Sequence, residues 1–107
     1  MTADELRRLS EIAGLKLSAV GELLQSGSRF YRPNKGKYYT NIPVYDWQPH
    51  LRIEQAMMVA EGIPENKRFH YIDELKKIVP LHSGGWFLIN ATAEQRCRAA
   101  LAAAKEW

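Results

Sequence analysis

Cysteine is nearly missing from the sequence, and so are the features that mark secreted or membrane proteins. The single cysteine, Cys97, cannot form a disulfide within the chain, so nothing indicates an oxidising compartment. The first residues are charged, and no apolar signal region follows them. The longest purely apolar runs, such as 99–104, are far shorter than the roughly 20 residues that a membrane-spanning helix needs. We therefore expect a cytoplasmic protein that does not associate with membranes.

Repeats, low-complexity tracts and interdomain linkers are missing as well, and the rest is ordinary globular composition. The chain has 107 residues, of which 46% are hydrophobic and 25% charged, enough for one folded core. The order of its patterns predicts a single α+β domain over 1–107, in which helices pack on a small, mainly antiparallel sheet; the α/β/α sandwich-like form of this arrangement is implied only by the family resemblance given below. The expected parts are an N-terminal helical pair at 2–27, a basic aromatic hairpin or loop at 28–45, and an α/β core at 46–107.

Helix signals open the chain. Thr2 and Glu5 have the spacing of a capping box, which predicts a helix over about 3–13 that Gly14 stops. Ser18 is placed to cap a second helix that reaches residue 26.

These two helices have the spacing of a helix-turn-helix over residues 9–24, in which the second helix would enter a major groove. The outer face of that helix, however, offers Glu22 and lacks the cations that a negatively charged duplex attracts. An ordinary helical hairpin that covers a core is the alternative.

A third helix is predicted over about 47–61. Asp46 is its expected N-cap, and Gly62 followed by a proline ends it. The side chains expected to face the core recur at helical spacing and are Ile53, Ala56, Met57 and Ala60. Beyond this helix, 68–72 fits a short strand and 73–79 fits one or two helical turns.

The last quarter of the chain predicts a strand, a helix cap and an alanine-rich helix. The apolar run 86–89 is typical of a buried strand, and Thr92 with Gln95 forms another capping box. The helix near 92–105 carries one apolar stripe, made of Cys97, Ala100, Leu101 and Ala104. Because most of that stripe is alanine, we expect the helix to lie close against a sheet.

Positive charge is concentrated in the first third of the chain. Residues 1–39 carry seven Lys or Arg against four acids, a net of +3, whereas residues 40–107 carry eight of each sign. A basic lobe fits nucleic acid or another acidic partner. Segments 29–32 and 35–39 also combine cations with aromatic rings, the two features by which single-strand binders screen phosphates and stack bases. The candidate nucleic-acid-binding residues are Lys16, Arg29, Tyr31, Arg32, Lys35 and Lys37. A hairpin that buries one aromatic row and leaves the lysines in solvent is the alternative.

Patterns typical of a metal site or a catalytic centre are missing. Structural zinc sites bring their ligands in close pairs, and no such pair occurs among Cys97, His50, His70 and His82. Neither a nucleophile elbow nor a phosphate-cradling loop is present, and the turn at 82–85 is the best candidate for a small binding loop. We expect no metal, no cofactor and no catalytic residue.

Three segments carry a family resemblance: Tyr39–Ile42, Gln55–Glu61 and Ala91–Leu101. The chain resembles the phage ABA sandwich domain family over roughly 39–105, and the capped C-terminal helix, with its cysteine and run of alanines, is the most specific part. The resemblance implies a sheet covered by helices on both faces, a phage or prophage origin in a bacterial host, and no assigned catalytic residues. The N-terminal helices lie outside it, and the stretch 43–49 is longer than the family's usual approach to its helix.

Taken together, these features predict a non-enzymatic phage- or prophage-type accessory protein that binds a macromolecule, either protein or nucleic acid. The alternative is a nucleic-acid-binding protein that uses the helix-turn-helix-like N-terminus and the basic aromatic segment 29–39.

Overall fold

The computed structural model describes residues 1–33, 40–79 and 91–105. In chain order the elements are α1 (Ala3–Ile12), β1 (Leu15–Leu17), β2 (Phe30–Pro33), β3 (Ile42–Pro43), a 3₁₀ turn (Val44–Asp46), α2 (Ile53–Gly62), a second 3₁₀ turn (Glu65–Lys67), α3 (Arg68–Ile78) and α4 (Ala93–Ala104). The α+β class, with helices packed on a small antiparallel sheet, is confirmed. The sandwich arrangement implied by the family resemblance stays a prediction.

Helix α1 begins at the predicted capping box and ends at the predicted glycine. The Thr2 hydroxyl accepts the Glu5 backbone N–H at 3.2 Å, and the Glu5 carboxylate accepts the Thr2 backbone N–H at 2.9 Å. Gly14 has a φ of 79°, a left-handed conformation that glycine adopts without steric cost. The chain therefore leaves the helix at this point and enters β1.

The second helix predicted over 18–26 does not form, so the helix-turn-helix prediction is wrong. Ser18 caps no helix, because it is buried against strand β2. Its backbone N–H donates to the Phe30 carbonyl at 2.8 Å, and its hydroxyl accepts the Phe30 N–H at 3.1 Å. Val20, whose apolar side chain would belong to the inner face of such a helix, is 82% exposed. Long-range pairing with β2 has replaced the local helix.

The sheet has the order β1-β2-β3, and both of its pairings are antiparallel. Lys16 lies opposite Arg32, and Tyr31 lies between Leu17 on one side and Ile42 on the other. Within the hairpin or loop predicted at 28–45, the chain thus forms strands β2 and β3, which pair antiparallel. Residues 34–39, between these strands, are outside the described residues.

Helix α2 begins at Ile53, six residues later than predicted, and Asp46 is not its N-cap. Asp46 lies in a 3₁₀ turn, and the buried Gln55 side chain holds that turn against the helix. The Gln55 amide donates to the Asp46 carbonyl at 2.8 Å and accepts the Gln48 N–H at 2.7 Å. These two bonds satisfy backbone groups of the turn, so the chain stays non-helical up to Arg52.

The end of α2 at Gly62 is confirmed, but the strand predicted at 68–72 is wrong. A 3₁₀ turn follows Pro64, with the Lys67 N–H donating to the Pro64 carbonyl at 2.8 Å, and it leads straight into α3. Leu75, in α3, and Val79, directly after it, are buried.

Helix α4 begins at the predicted capping box of Thr92 and Gln95. Of the predicted stripe, Cys97 and Ala100 are fully buried, whereas Leu101 and Ala104 are only partly buried. Ala99 and Ala103, outside the stripe, are fully buried as well. Among the described elements, the helix packs chiefly on α3, with further contacts to α2 and α1. Its expected close approach to a sheet stays a prediction. The strand predicted at 86–89 and the turn at 82–85 lie outside the described residues.

Candidate functional site

Lys16 and Arg32 are the two predicted nucleic-acid-binding residues that the structure places side by side in solvent. They lie opposite each other on β1 and β2, and both are exposed. The Arg32 guanidinium lies 5.5 Å from the centroid of the Phe30 ring and forms an ion pair of 2.7 Å with Glu22. The carboxylate of Glu22 thus lies on the same exposed surface as the cations of Lys16 and Arg32.

Glu22 is held in place by both of its carboxylate oxygens. One accepts from Arg32, and the other accepts the backbone N–H of Ala19 at 3.3 Å. The hydrogen bond from Arg32, then that from Ala19, and then the positive charge of Arg32 lower the pKa of Glu22 below its ordinary value. The carboxylate offsets part of the positive charge that a phosphate would meet here.

Arg29 and Tyr31, two further candidate nucleic-acid-binding residues, make contacts inside the fold. Arg29 donates through Nη2 to the carbonyl of Ser18, and its Nε is buried without a partner. Tyr31 is buried and packs on Trp47, with ring centroids 6.0 Å apart and planes tilted by 58°. Its ring has no open face on which a base could stack. Lys35 and Lys37 are outside the described residues.

The possible metal ligands and nucleophiles do not converge in the part of the chain that the structure describes. No group of three or more His, Cys, Asp or Glu side chains there could hold a metal ion. Burial raises the pKa of the Cys97 thiol to about 12, so this thiol stays protonated. The His70 ring packs on Phe69 at a centroid distance of 4.0 Å.

An open groove of about 430 Å³ lies between α1 and the C-terminal half of α4. Leu101 and Ala104 supply its apolar part, and Asp4, Glu5, Arg8 and Lys105 surround them. The hydrogen bonds of the capping box are the main cause that lowers the pKa of Glu5, so this carboxylate is committed to its helix. The groove therefore offers mixed charge around a small apolar floor, and its lining contains no thiol or hydroxyl nucleophile.

The largest departure from expectation lies on α2. Ile53 and Met57 were predicted to face the core, yet they are 48% and 42% exposed, and Leu51 just before the helix is 67% exposed. The buried side of α2 is instead formed by Gln55, Ala56, Met58 and Val59. Since Ile53 and Met57 are four positions apart, they lie on the same side of the helix.

Two acids border these apolar side chains. Glu61 continues the row of Ile53 and Met57 by one further helical turn, and Glu54 lies three positions before Met57 on the adjacent row. All four side chains are exposed. We call this group, Ile53, Glu54, Met57 and Glu61, the outer face of α2.

The outer face is presented by a helix that is fixed on its other side. Ala56 and Val59 are almost fully buried, and Gln55 bonds the preceding turn as described above. Met57 is therefore exposed on a helix that is held in place by the packing of its opposite side. The sequence did carry a signal for it: apolar residues occupy more of the circumference of α2 than one buried side can cover.

None of the described helices is both long enough and apolar enough to cross a lipid bilayer. Comparison of the chain with protein-family models, with curated proteins and with solved structures finds no match.

Proposed function

We propose that the chain is a non-enzymatic accessory protein of the phage or prophage type, and that it works by binding another protein through the outer face of α2. The observation that carries the proposal is the solvent exposure of Ile53 and Met57, side by side on a helix whose other side lies in the core. Apolar side chains grouped on a rigid surface are typical of protein interaction sites. The resemblance over 39–105 supports the phage-type origin.

The chemistry of the described residues favours binding over catalysis. Cys97, the one thiol of the chain, is buried and stays protonated. The carboxylate of Glu5 in the α1–α4 groove is held by the Thr2 cap. A catalytic reading would need a nucleophile and a base within hydrogen-bond reach of each other in an accessible pocket.

Site-specific photocrosslinking tests the proposal. A photoreactive amino acid replaces Met57 in one variant and Asp73, an exposed residue of α3, in the control. In bacterial cells, position 57 should yield a discrete protein adduct that position 73 does not yield. The adduct should disappear when Ile53→Glu is added. Equal adducts at both positions would overturn the proposal. So would substrate turnover by the pure protein that is lost on mutating Arg8 in the groove.

A second candidate function is nucleic-acid binding by the pair Lys16 and Arg32, which is favoured by their placement opposite each other on exposed strand positions. Binding to single or double strands should then weaken as salt rises and on Lys16→Ala. Glu22→Gln should strengthen it, because the variant removes the carboxylate that pairs with Arg32. Absent or salt-insensitive binding would remove this candidate.

A further inference from the structure

We infer that the outer face of α2 takes a basic amphipathic helix of another protein, and this inference rests on the function proposed above. The class of partner follows from the charge around the exposed apolar row and from the shape of a helical surface. The same charges would also repel a second copy of the chain.

The charge of this region is opposite to that of the whole chain. Residues 45–66 contain four acids (Asp46, Glu54, Glu61 and Glu65) and one base (Arg52), so their net charge is 1 − 4 = −3, whereas the chain carries +3. The base is partly engaged already, because Arg52 lies 3.9 Å from the Asp46 carboxylate. A cationic partner is therefore attracted more strongly to this segment than to the rest of the chain.

Of the two acids of the outer face, Glu54 lies where it can select such a partner. Its side chain is exposed and makes no ion pair or hydrogen bond with another residue in the described ranges. It stands beside Met57, so a Lys or Arg next to the apolar row of the partner would reach it. Single exposed pairs add at most about 1 kcal/mol, but they determine which partner and which orientation are favoured.

The shape of the surface suits a helix. From Ile53 to Glu61 the outer face runs for roughly 12 Å along the axis of α2, at about 1.5 Å per residue. Two apolar side chains one turn apart, with acids along one border, match an amphipathic helix with apolar residues at i and i+4 and cations beside them.

A second copy of the chain fits this surface poorly. If two α2 helices packed antiparallel about Met57, each Glu54 would approach the Glu61 of the other copy. Parallel packing would bring the two Glu54 side chains together. A symmetric pair repeats the same patch on both sides of the interface, so like charges meet in either arrangement.

Two synthetic peptides of about 15 residues test the inference, one with Leu and Lys at helical spacing and one with Glu in place of every Lys. Fluorescence anisotropy measures their affinity for the full chain. The basic peptide should bind at least tenfold more tightly than the acidic one. Met57→Ser, which removes the apolar contact without adding charge, and Glu54→Lys, which replaces an attraction by a repulsion, should each weaken it about tenfold, roughly 1.4 kcal/mol. Asp73→Lys, the same charge change on α3, should leave the affinity unchanged.

Three results would overturn the inference. The first is equal affinity for both peptides, and the second is an affinity that Asp73→Lys lowers as much as Glu54→Lys. The third is a concentration-dependent dimer in sedimentation that Met57→Glu abolishes, since the partner would then be a second copy. After either of the first two results the position-57 crosslink can persist, so the proposed function would still stand. After the third, the adduct would be a second copy of the chain, and the proposed function would fail as well. Loss of that crosslink together with failure of both peptides removes the proposed function as well.

Discussion

The indole N–H of Trp47 donates a hydrogen bond of 2.8 Å to the backbone carbonyl of Leu6, which lies 41 positions earlier in the chain. Trp47 is buried, and its ring also packs on Tyr31 of β2. One side chain therefore joins α1, the sheet and the turn that leads into α2. The position of the outer face of α2 depends on this junction, because the turn and the start of α2 are tied together by Gln55.

Replacing Trp47 should separate the contribution of the ring from that of its hydrogen bond. Trp47→Phe keeps an aromatic ring and loses the bond to Leu6, which should cost about 1–3 kcal/mol of unfolding free energy. Trp47→Ala also leaves a cavity and should cost about 3–5 kcal/mol. Urea denaturation measures both. Tyr45→Ala, at an exposed position two residues earlier, is the control and should stay within about 0.5 kcal/mol of the parent. A Trp47→Phe variant as stable as the parent would contradict this account of the junction.

Gly62 should tolerate no side chain, because the end of α2 lies directly against the end of α1. A Cβ at this position would lie 2.8 Å from the Cα of Ala13 and still closer to the carbonyl oxygen of Ile12. Both are backbone atoms, which a rotamer change cannot move. Gly62→Ala should therefore destabilise the protein by about 1–3 kcal/mol.

The matched control for Gly62 is Gly21→Ala. A Cβ at Gly21 meets no heavy atom within 4 Å, and the φ of this residue is not positive. The melting temperature of the Gly21→Ala variant should remain close to that of the parent. Equal destabilisation by the two substitutions would contradict the assignment of the effect to the contact between the helix ends.

The features that could be read from the sequence were those decided within a few residues. A capping box needs only Thr2 and Glu5, or Thr92 and Gln95, and both boxes formed as predicted. Gly14 ended α1 for an equally local reason, its left-handed backbone. These signals fix where helices begin and end because their energies arise inside one helical turn.

The features that were missed depend on partners far away in the sequence. Ser18 has the local character of a helix cap, but pairing with Phe30 twelve positions later draws it into the sheet. The rotation of α2 is another case, since Met57 and Met58 are equally apolar and only the packing of the other helices buries Met58. The outer face of α2 therefore became recognisable once its buried side was known.

Ala100 should reject a charge. Its side chain is fully buried on the stripe of α4 that faces the other helices, and a carboxylate there would have neither room nor a partner. Ala100→Glu should cost about 3 kcal/mol or more, measured by thermal or urea denaturation. Ala102→Glu, at a partly exposed position of the same helix, is the control and should cost much less. If both variants lose the same amount of stability, the side of α4 that we describe as buried is wrong.

Cys97 should be unreactive in the folded protein. Burial raises the pKa of its thiol from the ordinary value of 9.0 to about 12, and the thiolate is the reactive form. At pH 8 the thiolate fraction should be lower by about a thousandfold, and burial blocks access as well. A disulfide reagent such as DTNB should release colour only after denaturant is added. Rapid release from the native protein would show that α4 opens readily or that the thiol is exposed.

The ion pair between Glu22 and Arg32 should make stability depend on pH in the acid range. The pKa of Glu22 is lowered in the folded protein, first by its hydrogen bond from Arg32. The unfolded chain therefore takes up a proton before the folded one, and stability falls as pH drops from the ordinary value of 4.5 through the lower, folded value. Glu22→Gln removes this term. The parent should melt at a higher temperature than the variant at pH 7, and the difference should shrink as the carboxylate is protonated. In an Arg32→Gln background the same substitution should have a smaller effect at pH 7, because the main cause of the lowered pKa is gone. A difference between parent and Glu22→Gln that stays constant from pH 7 to below 4 would contradict the linkage.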